Sequence, residues 1–410
     1  MDYEKIFGLI LDLGSALVNS GAEVHRAEDT MYRLLEAYGF ENPNVWLVPT
    51  NIQATVILPG SGKLRTQIRH VRAASINFNR FDKLNDLSRH LCANPVDAPE
   101  FRRLLNEALD HECNPVWLQY IGAMLGGPFY ALFFGCEPTD LICAALTSAL
   151  ILFIDRHTVK TLGPLLRNFI TTFFAGLFIL ACARFGWVVH PGSVTTGVII
   201  LVVSALGVTN ALRDFVCLDS LSGVINITAA VTGALGIGLG ICAAIQLLGD
   251  GTNLALMSRS TVPEQLIAST VSSIGFALLF HIKSIKKLVC CALGGLAVWA
   301  VYLFASAHLT HEFISAICAA MFCAVYAQIM ARFNRAPATV FMTIGMFPLI
   351  PGSALYRTMY GIVRNDTALA ATSMTTTILV CFAIALGFLA SDSLGRSLAY
   401  ARGHAIGHRK

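Results

Sequence analysis

Charge is what this sequence has least of. Of its 410 residues only 13% are charged, while 55% are hydrophobic, and the mean hydropathy is +0.64. Soluble chains carry about a quarter of charged residues, so a wholly soluble globule is excluded. The shortage is also uneven. Residues 1–112 hold 12 Lys and Arg and 15 Asp and Glu, half of the total, whereas the rest holds 17 basic and 10 acidic residues. That pattern describes a soluble domain followed by a membrane domain. Signature motifs are missing too: there is no Walker A loop, GxGxxG, HExxH or Ser/His/Asp arrangement, which leaves no basis for nucleotide or hydrolytic chemistry. None of the 12 cysteines forms a CxxC pair, and Cys143, Cys182, Cys242, Cys290, Cys291, Cys318, Cys323 and Cys381 lie inside apolar runs. They are read as small packing residues rather than disulfides or metal ligands. No catalytic residue, metal or cofactor is expected, and without an ATP-binding loop any transport draws on an ion or solute gradient. The opening Met1-Asp-Tyr-Glu-Lys5 lacks the basic start of a secretory signal, so the first domain is expected to stay in the cytoplasm. The isoelectric point of 8.4 reflects residues flanking lipid and not nucleic-acid binding.

What is present begins with a helix-and-strand pattern. Ile6, Ile10, Leu13 and Leu17 mark one helix, and Val24, Ala27, Met31, Leu34, Leu35 and Tyr38 a second. Ser20-Gly-Ala-Glu23 fits a capping box for that second helix. Ile52–Leu58 and Leu64–Arg69 alternate around Pro59-Gly-Ser-Gly62 as a hairpin. Phe81 to Leu91 and Phe101 to Leu109 complete an α+β domain over 1–112. Its cluster Glu23, His25, Glu28 and Asp29 has the spacing of surface ion pairs on a helix, which favours a structural or docking role over catalysis.

From Trp117 the apolar runs lengthen towards the roughly 20 residues that span a bilayer. Ten candidates follow: 117–134, 139–154, 165–184, 192–208, 221–248, 265–281, 288–306, 313–331, 337–350 and 368–390. With the N-terminus inside, 13 of the 17 basic residues beyond position 112 fall on the cytoplasmic side, as the positive-inside rule requires. The fold class expected is therefore a polytopic α-helical membrane protein of about ten transmembrane helices arranged as a 5+5 inverted repeat, behind a cytoplasmic N-terminal α+β domain. The divisions are 1–112, a first five-helix half 113–250, a second half 251–392, and a cytoplasmic tail 393–410. Gly122-x-x-x-Gly126 and Thr232-x-x-x-Gly236-x-x-x-Gly240 are spacings that let helices approach closely in lipid.

Ionisable residues near a bilayer core default to function, and two polar breaks stand out. Ser204 to Gly223 carries Asn210, Arg213, Asp214 and Asp219, and Ile350 to Asp366 carries Tyr356, Arg357, Arg364 and Asp366. The likeness of Asn210-Ala-Leu-Arg213 to Ser353-Ala-Leu-Tyr-Arg357, each followed by an acid, suggests facing halves of one site. A guanidinium grips a carboxylate bidentately, so Asn210, Arg213, Tyr356 and Arg357 are assigned to substrate. Asp214, Asp219 and Asp366 are assigned to proton coupling, and Gly207, Pro351 and Gly352 to hinges. His281, His308 and His311 near span ends are read as tolerated interfacial residues.

Ser20-Gly-Ala-Glu-Val-His-Arg-Ala-Glu-Asp-Thr30 with Ala37-Tyr-Gly39, and Asn210-Ala-Leu-Arg-Asp with Asp219-Ser-Leu-Ser-Gly223, resemble the threonine/serine exporter family. Pro351-Gly-Ser-Ala-Leu-Tyr356 resembles the smaller partner protein that is a separate chain in some bacteria, so this chain looks like both parts fused. The resemblance implies a bacterial inner-membrane exporter of L-threonine and L-serine, driven by the proton-motive force, with amino acid, protons and lipid as partners. A two-chain branch of the family is associated with succinate export, which makes a dicarboxylate exporter the alternative. An enzyme or sensor acting through the N-terminal domain is a rival of a different class. Val224-Ile-Asn226 follows Gly223 where a basic residue is expected in relatives. The sequence leaves a homo-oligomer open.

Overall fold

The computed structural model describes residues 1–71, 76–110, 114–158, 162–202, 207, 211, 214–215, 219–248 and 260–407. They divide into two compact units, Met1–Pro115 with Phe280–Lys283, and Val116–Leu279 with Ser284–Lys410.

The first unit holds helices α1 (Tyr3–Asn19) and α2 (Val24–Ala37), strands β1 (Glu41–Val48), β2 (Asn51–Ile57) and β3 (Leu64–His70), and helices α3 (Phe78–Ala93) and α4 (Ala98–Leu109). The strands form one antiparallel sheet in the order β1-β2-β3. Ile52, Ala54 and Val56 alternate onto its buried face with Val45 and Leu47 of β1. Helix α1 buries Ile6, Leu9, Ile10, Leu13 and Leu17, each side chain contributing about 1.5–3 kcal/mol by leaving water. The Ser20 capping box does not form. Ser20 is instead the C-cap of α1, its hydroxyl donating to Ala16 O at 2.7 Å, and Glu23 stands at the N-cap of α2 with no side-chain capping bond to that helix. Gly21 takes a φ of 103° and Ala22 N reaches back to Leu17 O at 3.0 Å, which makes Ser-Gly a stop signal. The chain leaves this unit at Pro115 and returns at Phe280. There Phe78 N donates to Phe280 O at 3.0 Å, the two rings meet edge-on at 5.6 Å, and Asn114 N donates to Nδ1 of buried His281 at 3.0 Å.

The second unit is helical: α5 (Val116–Phe133), α6 (Asp140–His157), α7 (Pro164–Arg184), α8 (Pro191–Ile199), α9 (Ser220–Leu248), α10 (Val262–Leu279), α11 (Ile285–His308), α12 (Glu312–Asn334), α13 (Ala338–Gly345), a 3-10 turn at Phe347–Leu349, α14 (Gly352–Val363) and α15 (Thr367–Gly407). Among the described residues six of these, α7, α9, α10, α11, α12 and the Thr367–Ala390 part of α15, are long and apolar enough to cross a membrane. The pair α13 and Phe347–Ile362, bent by 40°, makes a seventh if counted as one broken span. These helices belong to a multi-pass membrane protein. Helix α15 runs to Gly407, beyond the end at 390 that the apolar run suggests.

Helix contacts repeat along the chain. In one set α5 packs on α6, α6 on α7, α8 on α5, α6 and α7, and α7 on α9. In the other α10 packs on α11, α11 on α12, α13 on α10, α11 and α12, and α12 on α15. The leading helices α5 and α10 run antiparallel: Ser260 Oγ, just before α10, donates to Phe133 O at the end of α5 (3.0 Å), while Gly122 near the start of α5 faces Gly275 near the end of α10. A Cβ on Gly275 would strike the Gly126 amide, and one on Gly122 would lie 2.8 Å from Gly275 O, so both glycines are needed for the approach. The α7–α9 crossing is equally close, with a Cβ on Gly236 meeting Leu165 O. Asn168 Nδ2 donates to Gly233 O at 3.1 Å across it.

Candidate functional site

The break after α13 is where side chains of several helices converge. Pro348 and Pro351 withhold backbone donors, so the helix stops at Gly345, tightens into a 3-10 turn and restarts at Gly352. A cavity of 410 Å³ lies against this break, within the range of small-molecule sites. It is lined by Phe133 and Phe134 after α5, Gln265 of α10, Trp299 and Tyr302 of α11, Glu312 of α12, Pro348 to Pro351 with Ser353, Ala354 and Arg357, and Leu369, Thr372, Ser373, Thr376 and Val380 of α15. The lining gathers towards the end of the bundle where α5, α11 and α13 finish and α10, α12 and α15 begin, with Trp299 and Val380 carrying it deeper along α11 and α15.

Its polar geometry is partly fixed. Gln265, buried, accepts from Trp299 Nε1 at 3.1 Å and donates to Ser260 O at 2.7 Å. Thr372 and Thr376 donate their hydroxyl protons to Ala368 O at 2.8 Å and Thr372 O at 3.0 Å on their own helix, leaving their oxygens as acceptors. Arg357 and Glu312 are the cation and the anion among the described lining residues. Together these groups can hold a small solute that carries a carboxylate and a hydrogen-bond-donating group.

Of the residues singled out in the sequence, Arg357 and Pro351 reach this cavity. Tyr356, one residue away, does not. It is buried against Ile199, Ile237 and Ile241 of α8 and α9 and stacks on Tyr360 at 6.0 Å, and its hydroxyl has no hydrogen-bond partner among the described residues. Consecutive residues of a helix face different sides, which separates the two. Gly352 packs towards Ile200 at the end of α8. Asp366 is exposed and accepts from Leu369 N at 3.0 Å at the start of α15. Asp219 does the same for α9, accepting from Ser222 N at 3.3 Å. Both are helix N-caps. Asp214, half-buried, accepts from Asn226 Nδ2 at 2.8 Å and takes Asp219 N on its carbonyl at 2.9 Å. Asn226 is thus the neighbour of Asp214 at the place where a basic residue is expected in relatives. Gly207 is half-buried, and Asn210 and Arg213 lie outside the described residues.

The sequence reading missed Glu312, Gln265 and Trp299. Each sits inside or beside an apolar run as a single residue, and only the meeting of helix ends gives them a common purpose.

A second polar cluster lies at the other end of α5. Gln119 accepts from Arg156 Nη1 at 3.0 Å, and Arg167 Nε donates to Asp155 Oδ1 at 2.6 Å. Gln119 and Gln265 are both the fourth residue of the leading helix of their set, and each accepts from the helix that follows. In the first unit, Asp29 pairs with Arg33 at 2.9 Å on the surface of α2, and among the described residues no group of three or more His, Cys, Asp or Glu could hold a metal.

Residues 8–248 match the family described as "Putative threonine/serine exporter", and residues 265–394 match the one described as "Threonine/Serine exporter, ThrE". The chain is similar to a threonine/serine exporter of Corynebacterium glutamicum, 22% identical over 97% of this chain and 84% of the relative. A protein of Mycobacterium tuberculosis named "Probable threonine/serine exporter" is 23% identical over 88% of this chain and 71% of its own length. No solved structure matches. With both family regions consecutive in a single polypeptide, the chain belongs to the threonine/serine exporter family, a family of transporters and not of enzymes.

Proposed function

We propose that this protein exports small zwitterionic amino acids, L-threonine and L-serine, across the bacterial inner membrane, binding them in the cavity beside the α13–α14 break. The observation that carries this reading is Arg357 on a 410 Å³ cavity at a broken helix, the setting in which a guanidinium can hold a carboxylate away from bulk water. The names of the relatives supply the substrate class.

The chain's return to the first unit at Phe280 supports the topology. Leaving that unit at Pro115 and rejoining it requires an even number of crossings between, and the apolar runs 117–134, 139–154, 165–184, 192–208, 221–248 and 265–281 make six. The excess of Lys and Arg on that side makes it the cytoplasm, and ten crossings return the C-terminus there too. Matching helix contacts, the antiparallel α5 and α10, and the paired Gln119 and Gln265 bonds support two halves related by inversion, as in other secondary transporters. In this reading the cavity faces outward, Gly207, Pro351 and Gly352 flank the moving breaks, and Asn210 and Arg213 supply the first half of the site. The proton-motive force drives export, with Asp214 carrying the proton because Asp219 and Asp366 hold helix ends.

The test is efflux from proteoliposomes loaded with labelled threonine or labelled succinate, with and without an imposed pH gradient. Threonine efflux accelerated by the gradient is the expected outcome. Succinate leaving while threonine stays would sink the proposal.

A further inference from the structure

Resting on the amino-acid reading above, we propose that Glu312 recognises the ammonium group of the substrate. It thereby makes the cavity selective for zwitterions over carboxylates of the same size that lack an amine. Arg357 can hold one carboxylate, but a cavity with Arg357 alone would accept any small carboxylate, including one with a second acid group. Glu312 lines the same cavity, so a second carboxylate meets like charge, whereas an ammonium group meets a partner. Discrimination of this kind needs a repulsive element as well as an attractive one, and Glu312 supplies both.

The surroundings agree. Glu312 stands in the first turn of α12, where the helix dipole favours a negative charge. The hydroxyl protons of Thr372 and Thr376 are already given to their own helix, and Gln265 is engaged by Trp299 and Ser260. The threonine oxygens that remain are acceptors, suited to a group with three N–H donors rather than to a carboxylate.

The experiment uses the purified full-length protein in detergent, measuring calorimetric binding of L-threonine and of 3-hydroxybutanoate, the same skeleton without its amine. Wild type, E312Q and E312D are compared, with thermal unfolding as the check on folding. Wild type is expected to prefer threonine by on the order of tenfold to a hundredfold. E312Q should bring that preference close to unity while 3-hydroxybutanoate binds as well as before or better, and E312D should restore part of it. An E312Q protein that unfolds at the wild-type temperature and keeps its threonine preference overturns the assignment. So does an equal loss of both ligands in E312Q, because that is what a collapsed cavity gives. Wild type binding neither ligand would remove the cavity as a substrate site, and the role of Glu312 with it; the earlier failures differ in that wild type still binds.

Discussion

The two sets of helix contacts in the second unit are alike in pattern and differ at their polar ends. At the end where α5 begins, both arginines are engaged, Arg156 by the amide of Gln119 and Arg167 by the carboxylate of Asp155. At the end where α5 finishes, the matching glutamine is held by a neutral tryptophan, and Arg357 and Glu312 line a cavity. In the inverted reading one end carries an ion pair and the other a cavity, the asymmetry that an alternating-access transporter adopts in one of its states. Like contacts therefore do not imply like polar chemistry, and the choice of second-helix residue, Arg156 or Trp299, is where the two sets part.

The comparison can be broken most severely at Arg357. Replacing it with Gln should lower threonine efflux on the order of a hundredfold, since two charge-assisted bonds to a carboxylate are lost, with the wild-type unfolding temperature retained. Unchanged efflux would move the site elsewhere. Next in size is the crossing of α5 and α10. Gly275→Ala places a methyl against the Gly126 and Gly122 backbones and should cost about 2 kcal/mol by overpacking, read as a lowered unfolding temperature in detergent. A neutral result would show that α5 and α10 do not cross so closely. Smaller again are the two caps. D219A and D366A should each cost about 1 kcal/mol, while D219N and D366N, which keep an acceptor and cannot carry a proton, should preserve both stability and flux. Lost flux in either Asn variant would return proton coupling to that residue. Least of all, the Asp155–Arg167 pair is 39% and 43% exposed. A double-mutant cycle on it should yield under about 1 kcal/mol, and a larger coupling would mark that end as the more strongly fastened.

Much of the secondary structure could be read from the chain because one-dimensional patterns carry it. The spacing of Ile6, Ile10, Leu13 and Leu17 places α1, the apolar runs place α7, α9, α11 and α12, and Pro348 with Pro351 marks the break. Local chemistry misled where one signal has two meanings. Ser20-Gly21 ends a helix through the positive φ of Gly21, while its letters also spell the start of one. Strand β1 was unreadable because Glu41-Asn42-Pro43-Asn44 looks like a loop; a register shift there lets Asn42 sit at φ 47° and the strand still pairs. The site divides along the same line. Arg357 could be found because a charge between apolar runs is conspicuous by itself. Glu312 could not, since a carboxylate in a first turn has an adequate local reason to be there, and its proximity to Arg357 depends on the packing of α12, α14 and α15.

The return of Phe280–Lys283 to the first unit has a practical corollary for anyone who would cut this protein apart. A fragment ending at Pro115 would strip the ring of Phe280 from Phe78 and remove the acceptor of the Asn114 amide. Such a truncation should be soluble only with those four residues supplied again. The amino-terminal portion is then less an appendage than a clasp, closed by a peptide from the middle of the polypeptide.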